Sequence, residues 1–312
     1  MLNRRFLRIK VLQALYGYFS RNDGELRVGE KEMMKSIDRM YDLYFFMLDL
    51  LINLHKHAER KIEEGKEKKL PTPEDLNPNL KFVENELLVK LSTDDTFIHA
   101  VEAHSPGWAD HRDLVRSIYR ELIESDVYER YMRNPERSFS EDQELLVWIY
   151  SEIIAPREFI HELLEETSMY WADDLALANS TVLKTIRSPK KIEKLKPSPL
   201  YKDEEDRDFA IKLYRLTILH SDEFIQLISK RAVNWESERI AQMDLTLMKM
   251  ALCEFMYFET VPTKVTMNEY IELSKDYSTP RSKTFINGIL DKLLGELQKA
   301  GKVKKIGRGL IG

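Results

Sequence analysis

Among its 312 residues the sequence has a single cysteine, Cys253, which lies in the apolar run MALCEFMYF. No internal disulfide can form, so nothing implies an oxidising compartment, and the expected role of the thiol is core packing. Glycine and proline are scarce at eleven each, and no glycine occurs from Trp108 to Ile286. Sheet proteins of this size need glycine for tight turns, so that gap speaks against strands. No apolar run reaches the roughly eighteen residues of a membrane span, and the basic start lacks both a long apolar stretch and a small-residue cleavage site. The chain is therefore expected to be soluble and cytoplasmic, with no membrane partner.

Catalytic signatures are missing too. His55 and His57 stand two apart, which on a helix turns them in different directions, and no paired-cysteine or HExxH spacing exists to hold zinc. A glycine-rich phosphate or cofactor loop and a GxSxG elbow are absent. No enzyme, cofactor or metal site is expected. The histidines read as surface residues, and acidic runs such as Asp203-Glu204-Glu205-Asp206 as helix starts.

What is present is a helical pattern. Hydrophobic residues make up 43% of the chain, enough for a sizeable core, and they recur at three and four, as in Leu145, Ile149 and Ile153 or Phe209, Leu213 and Leu216. The fold class read from this is all-α.

Charge is unevenly placed within a net −5. Residues 1 to 22 and the last fourteen each carry five basic side chains and no acid, leaving about −15 for the interior. A basic segment on an acidic body favours one localised polyanion contact, because the body repels phosphate elsewhere. The C-terminal tail, rich in glycine, reads as a solvated, disordered end. The N-terminal charges sit on a predicted helix whose Leu7, Val11, Ala14, Leu15 and Tyr18 face inward, while Phe6, Lys10, Gln13 and Gly17 line a second strip that is a candidate RNA face. Arg4, Arg5 and Arg8 crowd its first turns, where the helix dipole disfavours cations but guanidinium groups serve phosphate and bases. A solvated helix start is the competing reading. Tyr16 flanks the buried stripe, so aspartate there is expected to be destabilising.

Near the other end, Val261-Pro262 breaks a predicted helix over 236–258, a shorter helix ends near Tyr277, and Ser278-Thr279-Pro280 is placed to start the last one, which runs through Leu297. Ile286, Leu290, Leu293 and Leu297 form its buried stripe. Gly288 inside this helix points to a close approach by another backbone or a ligand, a tight helix crossing being the commoner cause. Arg281 and Lys283 stand at the helix start, where free N–H groups also attract phosphate.

Two blocks carry a resemblance: NRRFLRIKVLQALY at 3–16, and VPTKVTMNEYIELSK followed by SKTFINGILDK at 261–292. In order and spacing they are similar to the opening and closing signatures of the NusB family of transcription antitermination factors, and the run from Phe209 through Leu252, with Trp235, Arg239 and Asp244, resembles its central helices. The resemblance implies two packed helical bundles, no catalysis, and binding of single-stranded boxA-type RNA jointly with the ribosomal protein NusE, within the transcription elongation complex that makes ribosomal RNA. It implies RNA contact at Arg4, Arg5, Arg8 and Lys10, with Gln13 on the same helix. Arg281, Lys283, Phe285 and Asn287 are expected near the same surface.

Size is the departure, since typical family members are less than half as long. The expected organisation is a NusB-like domain from residues 1–20 and 203–312, with 21–202 as an inserted helical region. Helices are predicted over 33–62, 81–91, 111–133 and 141–186, with a charged connector at 63–78 and a basic, proline-bearing one at 184–202. A faint repeat at an offset of 64 aligns Glu141, Asp142, Tyr150, Ile154 and Trp171 with Glu205, Asp206, Tyr214, Ile218 and Trp235. The alternative function is a helical protein-interaction scaffold or ribosome-biogenesis accessory, as in the domain appended to RNA cytosine methyltransferases, with RNA binding weakened or lost. On the RNA reading, replacing Arg5 and Arg8 together by glutamate is expected to weaken RNA binding without lowering the melting temperature.

Overall fold

The computed structural model describes residues 2–21, 24–171, 173–188, 195–231 and 240–310. Among them stand fifteen α-helices and no strand, as the helical period predicts. The chain runs through α1 (Arg4–Phe19), the long α2 (Leu26–Lys66), the one-turn α3 (Pro73–Leu76), α4 (Glu86–Thr93), α5 (Asp95–His104), α6 (Arg112–Ile123), α7 (Asp126–Arg133) and α8 (Phe139–Trp148). A π-helical turn, Ile149–Ile154, continues α8. Then follow α9 (Glu158–Thr167), α10 (Leu175–Arg187), α11 (Glu204–Leu219), α12 (Ser221–Ser229), α13 (Gln242–Tyr257), α14 (Thr263–Tyr277) and α15 (Ser282–Lys299). Residues 236–239, the start of the predicted helix before Val261, together with Trp235 and Pro189, lie outside the described residues.

Two compact units divide the chain: Met1–Ile37 with Tyr201–Gly312, and Asp38–Leu200. The break inside α2 falls later than the expected boundary after residue 20. The reason is a close crossing in the first unit. Gly29 lies so near the Tyr214 hydroxyl that a Cβ would come within 2.0 Å of it, and Glu30 takes a two-pronged bond from Arg215 one residue along α11.

Within the first unit α13 is the central helix. Every residue from Thr246 to Phe255 is buried, and α1, α11, α12, α14 and α15 all pack on it. A helix apolar on all sides must be enclosed, and LTLMKMALCEF is such a sequence apart from Lys249 and Glu254. Glu254 is compensated: Arg8 of α1 donates to both its oxygens at 2.7 and 2.8 Å, Tyr270 donates at 2.5 Å and Thr266 at 3.2 Å. Cys253 is buried, and burial pushes its thiol pKa up. The start of α15 lies two residues beyond the predicted proline. Asp244 on α13 accepts from the hydroxyls of both Ser278 and Ser282, the latter at 2.7 Å, which fixes the α14–α15 turn to the central helix. Ile286, Leu290, Leu293 and Leu297 are all buried, as their spacing implies.

The tail corrects the expectation of disorder. Lys305 donates from Nζ to the carbonyls of Glu254 and Phe258 at 3.0 and 2.8 Å, and the Ile306 N–H donates to Glu259 O at 3.0 Å. Glu254 O lies in the last turn of α13 and already accepts from the Phe258 N–H, and Phe258 and Glu259 follow the helix directly, so the tail adds donors at the helix C-terminus. Gly309 presses against Glu259 O, where a Cβ would lie only 2.0 Å away. Tyr16 also departs from expectation: its side chain is 41% exposed, because the buried surface of α1 turns through Phe6, Leu12 and Leu15 rather than toward it.

In the second unit the enclosed part of α2 is rich in aromatics. The Trp108 ring stacks on Phe46 at 4.1 Å and donates to the Phe46 carbonyl, while the Trp171 indole donates to Arg39 O. His55 and His57 are not on the surface. His55 is buried between Ser92 Oγ at 3.0 Å and Val83 O at 2.8 Å, and His57 accepts from Arg60 beside the Tyr119 ring. The predicted 111–133 helix is interrupted by Ser125, which caps α7, and α5 was not foreseen. The π turn closes with Ala155 N–H donating to Tyr150 O, ahead of Pro156. Of the proposed repeat, Asp142 and Asp206 are both buried near a helix start, yet Asp142 accepts from Tyr131 and the Glu86 N–H, whereas Asp206 accepts from Arg4. Tyr150 sits on the π turn and Tyr214 on a regular helix.

Three outcomes follow for stability. Glu254→Ala strands the buried Arg8 charge and should lower the unfolding free energy by about 3–5 kcal/mol in urea titration. Tyr16→Asp should change it by no more than about 0.5 kcal/mol, since the site is open to water. Lys249 is buried with its ammonium 3.9 Å from the Phe19 ring centroid, and burial pushes its pKa down to about 8. The folded pKa lies below the unfolded one, so the unfolded chain binds more protons between pH 8 and about 10.5, and this group's contribution to stability rises with pH through that window. Melting temperatures of Lys249→Met should rise less between pH 8 and pH 9.5 than those of the parent.

Candidate nucleic-acid interface

The start of α1 is set by Asn3, whose side chain accepts from the Phe6 N–H at 2.9 Å and so brings Arg4, Arg5 and Arg8 onto the first turns. Across from them the chain leaves α13, passes Thr260, Val261 and Pro262, and enters α14, whose first turn has no side-chain cap. Asn3, Arg4, Arg5 and Arg8 on one side, and Thr260, Val261, Pro262, Val265 and Glu269 on the other, line an open cleft of about 730 Å³. Its walls thus combine guanidinium groups, an uncapped helix start and apolar side chains. That mixture suits an anion attached to a flat apolar group.

The three arginines differ in how far they are committed. Arg8 is 2% exposed; burial works against its charge and Glu254 more than offsets this, so its pKa stands above the ordinary arginine value. Arg4 is partly buried, donates to Asp206 at 3.1 Å and lies over the Phe209 ring at 5.1 Å. Arg5 has half its side chain in solvent and donates to both oxygens of Glu269, at 2.9 and 2.8 Å, a pairing that raises its pKa.

The residues expected to contact RNA are placed in different surroundings. Arg8 and Lys10 are buried, Arg8 in its pair with Glu254 and Lys10 with its ammonium 5.3 Å from the Phe6 ring centroid. Phe6 is buried too and offers no stacking surface. The strip of Phe6, Lys10, Gln13 and Gly17 therefore faces protein over much of its length, because α1 is covered by both α11 and α13. Gln13 is half-buried and does not line the cleft. On α15, Arg281, Lys283 and Asn287 are exposed and Phe285 is half-buried, and none of them lines the cleft. A Cβ at Gly288 would meet nothing within 4 Å, so no tight crossing among the described residues accounts for that glycine. The cleft's Asn3, Val265 and Glu269 were missed. Glu269 lies 264 residues from Arg5 along the chain, and no local pattern tells which acid meets which arginine.

The model of the NusB family matches residues 174–294, which take in α10 to most of α15 and leave α1 outside. Among curated relatives, the transcription antitermination protein NusB of Salinibacter ruber is 49% identical over 114 residues, covering 36% of this chain and 71% of the relative. The chain belongs to the NusB family. NusB proteins of Chloroherpeton thalassium and Koribacter versatilis are each 40% identical, over 115 and 102 residues, covering 54% and 70% of their own lengths. No solved structure matches. The NusB match includes α10, a helix within the region expected to be an insertion, and the remaining second-unit helices are additional to it.

Arg8→Glu sets two carboxylates against each other in the core and should prevent folding as judged by circular dichroism. Arg5→Glu should shift the melting temperature by no more than about 2 °C. This separates two residues that the sequence treats alike.

Proposed function

We propose that this NusB protein is a non-catalytic, RNA-binding antitermination factor whose α1 cleft receives single-stranded, boxA-type RNA, acting with NusE in ribosomal RNA transcription. The NusB-like part is the first unit together with α10, and the rest of the second unit elaborates it. The observation that carries the reading is the cleft itself: Arg5 exposed with Arg4 beside it, an uncapped helix start, and Pro262 and Val265 for a base to lie on. No described helix is long and apolar enough to cross a membrane.

A second reading draws on a specific observation: each arginine of the cluster is already paired with a carboxylate, Arg4 with Asp206, Arg5 with Glu269 and Arg8 with Glu254. A scaffold that binds a NusE-like protein and has lost RNA affinity would fit that pairing. Fluorescence anisotropy of a boxA-type RNA against a scrambled one, with and without NusE and at two salt concentrations, separates them. Phosphate contacts make log K fall with log salt, and an apolar protein interface does not. On the RNA reading Arg5→Glu weakens sequence-selective binding by about tenfold; unchanged affinity in that variant overturns it.

A further inference from the structure

Glu269 is the acid among the residues lining a cleft otherwise edged by arginines. Its carboxylate is 17% exposed and is held at both oxygens by Arg5, with Arg8 Nη1 3.7 Å away. Arg8 needs no second partner for balance, since Glu254 already receives its fork. Arg5 has half its side chain in solvent while Glu269 is largely covered, so the arginine is the member of the pair that water screens and that has room to turn outward to a phosphate.

We propose that Glu269 determines base specificity: when Arg5 turns to an RNA phosphate, the freed carboxylate accepts from the Watson–Crick edge of a guanine resting on Pro262 and Val265. This rests on the RNA reading of the same cleft. Guanine alone presents two adjacent, parallel donors, N1–H and the N2 amino group, matching the two carboxylate oxygens. Adenine and cytosine set one amino group beside a ring acceptor, and uracil sets one N–H between two carbonyls, so each turns a lone pair toward the carboxylate. The apolar platform is available, because Val265 is exposed on the first turn of α14. Unpaired bases splayed onto such surfaces are how single-stranded RNA is read. In the exchange Arg5 passes from a carboxylate to a phosphate and Glu269 from a guanidinium to a pair of neutral N–H donors, with Arg8 Nη1 at 3.7 Å as the cation that stays beside the carboxylate.

The test uses the full chain and three oligonucleotides: UUUGUUUU, the same RNA with inosine in place of guanosine, and UUUUUUUU. Inosine keeps N1–H and lacks the N2 amino group. Parent protein should bind the guanosine RNA about fivefold or more tightly than the inosine RNA, and Glu269→Gln should reduce that ratio to less than about twofold while retaining its circular dichroism spectrum. Equal ratios in the two proteins, or no preference for guanosine in the parent, overturn the proposal; the parent ratio stands as a test even if the variant does not fold. Binding of all three RNAs with flat ratios sinks this inference alone. Loss of all RNA binding at low salt sinks the RNA reading with it.

Discussion

The buried pair of Arg8 and Glu254 is the constraint around which the first unit is arranged. A buried carboxylate in the last turn of a largely apolar helix tolerates enclosure only if every strong acceptor site finds a donor. Glu254 obtains those donors from two other helices: the fork of Arg8 on α1 and the hydroxyls of Thr266 and Tyr270 on α14. Burial and the adjacent negative charge hold the Tyr270 hydroxyl well above its usual pKa, so it remains a donor. The position of α1 against α13 is thereby set by directional bonds as well as by apolar contact. The cleft follows from it, because fixing Arg8 places Arg4 and Arg5 one turn earlier at the opening.

Much of the helical content was readable because it is written locally, in period and in punctuation. Ile286, Leu290, Leu293 and Leu297 fall on one face whatever they pack against, and Pro262 and Ser278 mark ends that depend on nearby residues. The site was read less well, for a physical reason. Whether an arginine is a ligand contact or a core ion pair depends on a partner hundreds of residues away, as Arg8 and Glu254 do. Arg5 and Arg8 sit on the same helix only three residues apart, yet differ in role because α13 and α14 present different acids to them. The tail misled for a similar reason. Its glycines at 301 and 307 adopt positive φ in an ordered path, and Gly309 is required by a close carbonyl.

Charge is divided between the two units as well as along the chain. The first carries 26 basic against 21 acidic residues, the second 22 against 32. Acidic surfaces repel a polyanion over about a Debye length, so the field of the second unit discourages indiscriminate attachment of nucleic acid. Inside the first unit carboxylates meet the arginines at contact distance: Asp206 pairs with Arg4, Glu269 with Arg5 and Glu254 with Arg8.

The crossing at Gly29 bears on a separate problem, that of alignment. A helix of 41 residues with a repeating apolar stripe has several ways to lie along a neighbour, each shifted by a turn and nearly equal in apolar contact. At its N-terminal end such sliding would bring Leu26 or Glu32 under the Tyr214 hydroxyl, where even a methyl group has no room, and would pull Glu30 away from Arg215. One missing side chain and one ion pair thus act as a key and a stop, selecting a single setting from a family of competing ones.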